Sequence, residues 1–387
     1  MARRCAVLSV VVCGLGLSLT APAPAPAGGA TAPRGPLESG TTTSAGSWVV
    51  LPMGHLSDPS NTFWQLLFAS PGPSHWSVIT PPGAADNGGL VAGTSGRSIL
   101  VGVLPSDLLR FSPLSQSDDG GSSWNAEFFP GALAPVPDAL SYLTGTSGGA
   151  LAVVGSTRVL AAAPGSSAWT PLVATARLGR VAPRCGVSAV DAVALLPGGA
   201  PLVATGCARG GIVGIFTRAA GSWQAGGPVL RGSLTGSSTS VLRLETGNSN
   251  ATALVTASRA KRHSLVALWS SGATSWMQSP PLALGTGQRV LATAVGSNST
   301  LAVLLRSGSG LVAADVNPGG AWIRLPKPPG GTVALAAADP PAGSSASVLD
   351  AFTVHGSSLG VFSLTPSGSE WTMVQSSQVS LAYGSSS

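Results

Sequence analysis

The sequence predicts an all-β fold, a seven-bladed β-propeller of four-stranded blades, and three observations predict it. Tryptophans recur at gaps of 48, 45, 54, 53, 46 and 49 residues, and a period of roughly 50 residues is typical of a propeller blade. Gly (52) and Pro (31) are abundant, as expected for many short strands joined by turns. The apolar runs between turns are short and rich in β-branched residues, which argues against helical repeats. The recurring residues are Trp76, Trp124, Trp169, Trp223, Trp276, Trp322 and Trp371.

The four-strand unit is clearest near the C-terminus, where TVALAAA, ASVLDAFTV, SLGVFSLT and EWTMVQ follow one another within one period. The first unit lacks an evident inner strand before Trp76. A leftover run, QVSLAYG (Gln378–Gly384), follows the last unit. We therefore expect this C-terminal strand to complete the first blade, because such a closure removes exposed sheet edges. The predicted propeller spans residues 47–387.

The N-terminus has the pattern of an export signal. Arg3 and Arg4 precede an apolar run from Cys5 to Thr20, and small residues with A-x-A spacing end at Ala27. The sequence predicts a signal peptide over residues 1–27, a Pro/Ala/Gly-rich linker over 28–46, and a secreted protein without a membrane span once the signal is removed. An uncleaved N-terminal anchor is the alternative.

Removal of the signal leaves two cysteines, Cys185 and Cys207. They flank a stretch that is predicted to form strand, Gly-rich turn and strand, so an antiparallel hairpin brings them together. In an oxidising compartment this pair predicts a disulfide, with two free thiols as the alternative. No further Cys or His accompanies them, so we expect no metal site.

One turn carries a recognisable motif. SQSDDGGSSWN contains Ser117, Asp119, Gly121 and Trp124 in the S-x-D-x-G-x-x-W spacing of the Asp-box, or BNR repeat, and the chain resembles that propeller superfamily. The Asp accepts hydrogen bonds within its own turn, the Gly adopts a conformation that other residues avoid, and the Trp is buried. The other six units keep the Trp and a Gly but lose the Asp. The resemblance implies a fold, with the motif lying away from the ligand-binding face.

Sialidases of this superfamily use an arginine triad, a Tyr–Glu pair and an acidic Asp, and the sequence does not assemble that set. Of the four Glu, one lies in the linker and two lie on or beside outer strands. We therefore predict no catalytic residue and no cofactor, with a divergent sialidase-like glycoside hydrolase as the alternative. The Tyr and Glu residues are Tyr142, Tyr383, Glu38, Glu127, Glu245 and Glu370.

Four charged residues on inner or inner-edge strands are weak candidates for a binding site in the central channel. Arg243 and Glu245 are two residues apart and therefore share one face of a strand, where they can pair. Asp191 and Asp339 lie on other units. Hydrolysis requires two facing carboxylates, whereas a channel lined by Ser, Thr, Ala and Gly favours binding or a structural role.

The charge pattern limits the kinds of partner that we expect the chain to bind. The formal charge is +6, and the densest basic cluster, SRAKRH at 258–263, is too small to indicate a nucleic-acid binder. We expect a monomeric, non-enzymatic propeller that presents a loop face to an extracellular protein or glycan. A third alternative, an assembly or stability factor, would be distinguished by a basic stripe that includes Arg177, Arg180 and Arg184.

Overall fold

The fold is all-β, as predicted. The structure, a computed structural model, describes residues 40–43, 45–58, 61–72, 75–82, 88–104, 114–125, 137–163, 166, 168–247, 250–308, 310–338, 348–366 and 368–381. Within these ranges the chain forms 28 strands, one α-helix (α1, Thr175–Val181) and one 3-10 turn (Gly232–Leu234). The helices of the described ranges are all too short or too polar to cross a bilayer.

The strands follow one another as antiparallel meanders, which are numbered here from the N-terminus of the described chain. The first to third meanders contain β1 (Gly40–Thr43), β2 (Gly46–Gly54), β3 (Thr62–Ala69) and β4 (Ser77–Val78); β5 (Gly89–Ser95), β6 (Ser98–Leu104) and β7 (Leu114–Ser117); and β8 (Ala139–Leu143), β9 (Gly149–Val154), β10 (Arg158–Ala162) and β11 (Thr170–Ala174). The fourth and fifth contain β12 (Val187–Leu195), β13 (Pro201–Cys207), β14 (Gly214–Ala219) and β15 (Ser222–Ala225); and β16 (Ser238–Thr246), β17 (Asn250–Arg259), β18 (Arg262–Ser271), β19 (Trp276–Gln278) and β20 (Leu282–Leu284). The sixth and seventh contain β21 (Arg289–Val295), β22 (Leu301–Ser307), β23 (Gly310–Val316) and β24 (Ile323–Arg324); and β25 (Thr332–Ala338), β26 (Val348–His355), β27 (Ser358–Leu364) and β28 (Thr372–Gln378).

Hydrogen bonds group the described strands into five sheets, because two pairs of meanders are linked. The fourth and fifth meanders are joined by one antiparallel pair, Cys207 with Thr239. The first and sixth are joined by a parallel pairing of β1 with β21, in which Gly40 lies opposite Ala294. In the second meander, an isolated β-bridge between Gln116 and Asn125 takes the place of a fourth strand.

Apolar clusters lie between each meander and the next, and a further cluster joins the seventh meander to the first. That closing cluster brings Leu51 and Met53 of β2 against Ala336 of β25 and Phe352 of β26. The second strands of the meanders are buried along most of their length, which is why they form continuous apolar runs such as LAVLL in β22. Each fully buried Val or Leu side chain stabilises the folded state by about 1.5–3 kcal/mol. Because the packing closes on itself around the innermost strands, the fold is a β-propeller.

The first blade is completed differently from the prediction. Its innermost strand is β1, which pairs with β2 through a tight hairpin and lies within the stretch that the sequence predicts as a linker. That part of the linker prediction, and the prediction that a C-terminal strand fills this position, are therefore wrong. The sequence GTTT does not alternate apolar and polar residues, because its threonine side chains hydrogen-bond to polar groups around the channel.

The C-terminus contributes packing to the closure. Residues 379–381 form no strand, although Val379 and Leu381 are buried in the closing cluster; residues 382–384 of the predicted strand lie outside the described residues. The side-chain amide of Gln375 on β28 accepts a hydrogen bond from the backbone N–H of Trp76 (2.9 Å) and donates one to its carbonyl (2.8 Å). One side chain of the last blade thus bonds both backbone groups of Trp76 in the first.

The recurring tryptophans link neighbouring blades. The indole N–H of Trp322 donates to the carbonyl of Pro280, and that of Trp371 donates to the carbonyl of Pro326, in each case on the preceding meander. Trp76 donates to the buried carboxylate of Asp350 (2.8 Å) on the seventh meander, which precedes the first around the ring. The period of the sequence therefore reflects an inter-blade contact.

Candidate functional site

The two ends of the propeller carry different loops. The end called here the first-turn end carries the turns between the first and second strands, and between the third and fourth strands, of each meander. The opposite end, the connection end, carries the turns between the second and third strands and the connections between meanders. This division follows from the antiparallel order of the strands.

A cavity of about 320 Å³ occupies the channel at the first-turn end. This volume lies at the lower limit of ordinary small-molecule sites. Its walls are mainly hydroxyl side chains, small residues and backbone at the ends of innermost strands. The polar residues of the lining are Thr41, Thr42, Thr43, Thr94, Ser95, Ser141, Tyr142, Glu245, Thr246 and Ser297.

Arg243 forms a buried node behind this cavity. Its side chain is 0% exposed, and one terminal nitrogen donates to the carbonyl (3.1 Å) and hydroxyl (2.9 Å) of Thr293 on β21. The other donates to the carbonyl of Gly40 (2.6 Å), the hydroxyl of Thr41 and Oε1 of Glu245 (3.0 Å). One guanidinium therefore ties the fifth and sixth meanders to β1.

Of the four predicted binding residues, the structure brings two together. Glu245 is 25% exposed and is the one carboxylate among the described residues that line the cavity. Asp191 lies elsewhere, and its carboxylate accepts from the hydroxyl of Ser240 (3.0 Å) and the backbone N–H of Val241 (2.8 Å) on the neighbouring meander. Asp339 lies outside the described residues.

Tyr142 does not form a Tyr–Glu pair with Glu245. Its ring packs on the cluster between the second and third meanders. Burial raises the pKa of its hydroxyl, and the negative charge of Asp118 adds to that effect. Tyr383 lies outside the described residues. The carboxylate pair that hydrolysis requires is not assembled from the described residues of this cavity.

The Asp-box turn has the internal geometry that its sequence predicts. Asp119 accepts hydrogen bonds from the backbone N–H (2.9 Å) and hydroxyl of Ser123, and Ser117 accepts one from the backbone N–H of Gly121 (2.8 Å), whose φ is +84°. The turn lies at the first-turn end, beside the turn that contains Arg97. The motif is therefore at the same end as the cavity and at the opposite end from the connections between meanders.

We expect Asp119→Ala to lower the stability of the chain in a pH-dependent way. The hydrogen bonds from Ser123 and Ser117 lower the pKa of Asp119 from 3.8 to about 2. A lowered pKa stabilises the folded state above about pH 4, and this contribution is lost as the pH falls towards 2. Urea midpoints of wild type and variant should therefore differ at pH 7 and converge near pH 2.

Asp118→Ala is the matched control, because Asp118 is adjacent but its carboxylate accepts hydrogen bonds from Gln116 and not from the Asp-box turn. A larger loss of stability for Asp118→Ala, or a difference for Asp119→Ala that grows towards pH 2, would contradict the role assigned to Asp119.

The connection end is basic. Six exposed cations lie on the fourth and fifth meanders and on the connections that precede them, and they are called here the basic patch: Arg184, Arg209, Arg231, Arg259, Lys261 and Arg262. None of them forms an ion pair with a carboxylate within the described ranges of the chain. Arg177 and Arg180 of α1 are also exposed and belong to the connection between the third and fourth meanders. The Arg residues predicted as a stripe thus belong to a larger positive face.

The loops of the basic patch are held to one another. The N–H of Ala208 donates to the carbonyl of Gly186 (3.1 Å), that of Gly211 donates to Ser237 (2.8 Å), and that of Leu230 donates to Gly211 (2.7 Å). The guanidinium of Arg259 donates to the carbonyl of Thr235 (3.2 Å). Four chain segments that are remote in sequence therefore form one surface.

The predicted disulfide lies under this surface. Cys185 and Cys207 are bonded, with their Cα atoms 4.8 Å apart, and both are buried. Arg184 precedes the first cysteine, and Arg209 lies two residues after the second. The disulfide therefore fixes the spacing of two cations of the basic patch.

Sequence reasoning missed the basic patch because the fold collects its charges from separate loops. Only the hairpin of Arg259, Lys261 and Arg262 forms a visible cluster, and by itself it has the character of a solvated turn. The available signal was positional, since these residues all lie in turns between second and third strands or in connections between meanders.

Comparisons with known proteins support the fold alone. No protein-family model and no curated protein matches the chain. It is similar in structure to a protein from Lactobacillus plantarum, with a TM-score of 0.51 and 9% identity over 86% of this chain and 97% of that one. A putative 6-phosphogluconolactonase from Bacteroides uniformis gives a TM-score of 0.50 and 12% identity over 87% and 97%. A six-bladed fucose-recognising lectin from the fungus Aleuria aurantia gives 0.39 and 14% over 89% and 96%.

Proposed function

We propose that this chain is a secreted, non-enzymatic, seven-bladed β-propeller that binds an acidic macromolecular partner through its basic patch. The count of seven blades rests on the seven meanders and on the apolar clusters between successive meanders. Export rests on the N-terminal signal pattern, which lies outside the described residues, and on the disulfide, since disulfides persist in oxidising compartments.

The observation that carries the proposal is the cluster of six exposed cations without carboxylate partners among the described residues. Like charges held together on rigid loops raise the local potential and attract anions. Five of the six are Arg, whose planar guanidinium binds carboxylates through two parallel hydrogen bonds. The loops are fixed by hydrogen bonds and a disulfide, so little ordering is required when a partner binds.

The cavity at the first-turn end has a more limited role in this proposal. Many of its hydroxyls already hydrogen-bond between blades: Ser141 accepts from the N–H of Leu195, and Thr246 donates to the carbonyl of the same residue. Glu245, which is the one carboxylate among the described residues of the lining, accepts a hydrogen bond from Arg243. We therefore assign the cavity to the packing of the channel.

A charge-reversal experiment tests the proposal. We expect wild-type protein to bind fluorescent poly-glutamate, with an affinity that falls as salt rises towards about 0.15 M, because exposed charges are screened. Arg209→Glu/Arg262→Glu should weaken binding by about tenfold or more, since each change removes an attraction and adds a repulsion.

The control Arg218→Glu/Arg324→Glu changes the net charge equally, on exposed residues away from the basic patch. It should leave binding within about twofold of wild type. Equal weakening in both variants would mean that net charge alone attracts the probe, and that outcome would overturn the proposal. So would wild-type protein that fails to bind poly-glutamate at low salt.

A further inference from the structure

A groove with both apolar and polar walls adjoins the basic patch at the rim between the fourth and fifth meanders. It has a volume of about 910 Å³, and its walls include Val229, Arg231, Thr235, Trp276 and Met277. This set of residues is called here the rim groove. Val229 is 56% exposed and Met277 is 48% exposed, so large apolar side chains face solvent here. Exposed apolar surface rimmed by polar residues marks an interaction site.

The rim groove and the basic patch share residues. Arg231 belongs to both, and Arg259 of the patch donates a hydrogen bond to the carbonyl of Thr235 in the groove wall. A partner that reaches the cations therefore also reaches the apolar surface. Its chemistry must combine negative charge with apolar side chains over a short distance.

One wall of the rim groove is a sheet edge. Trp276 and Met277 belong to β19, which pairs on one side with β18 within the described residues. An outermost strand presents unpaired backbone groups on its free side, and an extended peptide can add to such an edge. A polysaccharide supplies neither apolar side chains nor a peptide backbone. A single-stranded nucleic acid would require exposed aromatic rings on which its bases stack, whereas Trp276 is partly buried against the core.

From these contacts we infer that the acidic partner is a polypeptide segment, with carboxylates on the basic patch and an apolar side chain in the rim groove. The inference rests on the proposed function and specifies the class of its partner. The charge complementarity comes from the patch, and the requirement for an apolar side chain comes from the groove.

Two fluorescent probes test it by anisotropy: hexaglutamate, and a peptide of the same length with two central leucines between glutamate pairs. We expect wild-type protein to bind the leucine peptide about tenfold more tightly, because leucine burial outweighs the loss of two charges. Val229→Ser/Met277→Ser should abolish this preference while leaving hexaglutamate binding unchanged.

The matched control is Ile323→Ser/Met373→Ser, which changes two equally apolar residues, each 57% exposed, outside the rim groove. The preference for the leucine peptide should survive in this variant. Exposed substitutions of this kind leave stability within about 0.5 kcal/mol, so a loss of binding reports the groove and not the fold.

Polygalacturonate and a single-stranded oligonucleotide complete the comparison. Tighter binding of either than of the leucine peptide overturns the inference, and so does a wild-type protein that does not distinguish the two peptides. In both cases the proposed function stands if Arg209→Glu/Arg262→Glu still weakens binding. Failure of that charge variant to change the binding of any probe overturns the proposed function itself.

Discussion

Arg243→Met is expected to destabilise the protein by about 3–5 kcal/mol, the cost of breaking a buried charge network by removing one partner. The guanidinium is 0% exposed, and it satisfies oxygens of Gly40, Thr41, Thr293 and Glu245. Methionine fills a similar volume but donates no hydrogen bond, so these oxygens lose their donor in a dry environment. The measurement is the free energy of unfolding from urea titration followed by tryptophan fluorescence.

Two variants make this result specific. Arg262→Met changes an exposed cation of the basic patch and should alter the free energy of unfolding by no more than about 0.5 kcal/mol. Arg243→Lys keeps the positive charge but loses the planar guanidinium group, so its free energy of unfolding should lie between those of wild type and Arg243→Met. An Arg243→Met protein as stable as wild type would show that the node does not hold β1 in the channel.

Cys185→Ser/Cys207→Ser is expected to lower the free energy of unfolding by about 3 kcal/mol, since the disulfide closes a loop between residues 22 apart. The cross-link restricts the unfolded chain, and both sulfurs are buried in the folded one. The double variant should also bind poly-glutamate less tightly, because Arg184 and Arg209 lose their fixed spacing.

Reductant supplies the control for the disulfide. Dithiothreitol should lower the urea midpoint of wild-type protein to about that of the double variant and leave the variant unchanged. A wild-type midpoint that is insensitive to reductant under unfolding conditions would mean that the bond does not form in the protein. Equal stability of the oxidised wild type and the double variant would mean that it forms without stabilising the fold.

The repeat was predictable because each blade carries its own local signal. Each tryptophan marks the start of the fourth strand in its meander, and the apolar runs before it are strands that pack on both faces. The packing of the rings explains the regularity in physical terms, since Trp322 and Trp371, like the other five, lie in or against the apolar cluster between their own meander and the one before it. Local turn chemistry also predicted the hydrogen bonds of Asp119.

The first blade was not predictable from local signals. β1 reads GTTT within a stretch rich in Pro, Ala, Gly, Thr and Ser, and nothing in it indicates a buried strand. Its partners include Glu245 and Ala337, which lie 204 and 295 residues away from the threonines they contact. A pattern read over one window cannot include them, so the C-terminal run was the better sequence candidate for the missing strand.

The candidate site likewise contains parts that were predictable from the sequence and parts that were not. Arg243 and Glu245 were predictable as a pair, because two residues on one face of a strand are local neighbours. The basic patch was not predictable, because Arg184, Arg209, Arg231 and Arg259 come from four segments that meet only through the closed fold. The rim groove likewise requires Val229 and Met277 to come from adjacent blades.

The position of β1 has a consequence for the order in which the molecule can be made. This strand leaves the ribosome before every other described part of the chain, yet Thr42 donates to Ala337 in the last blade. Contacts over such separations form late, because the intervening chain must first be closed. A nascent or truncated chain that stops short of residue 337 therefore holds a first strand in which the hydroxyl of Thr42 lacks this acceptor. Synthesis of the final blade supplies the last contacts, in chain order, that hold β1.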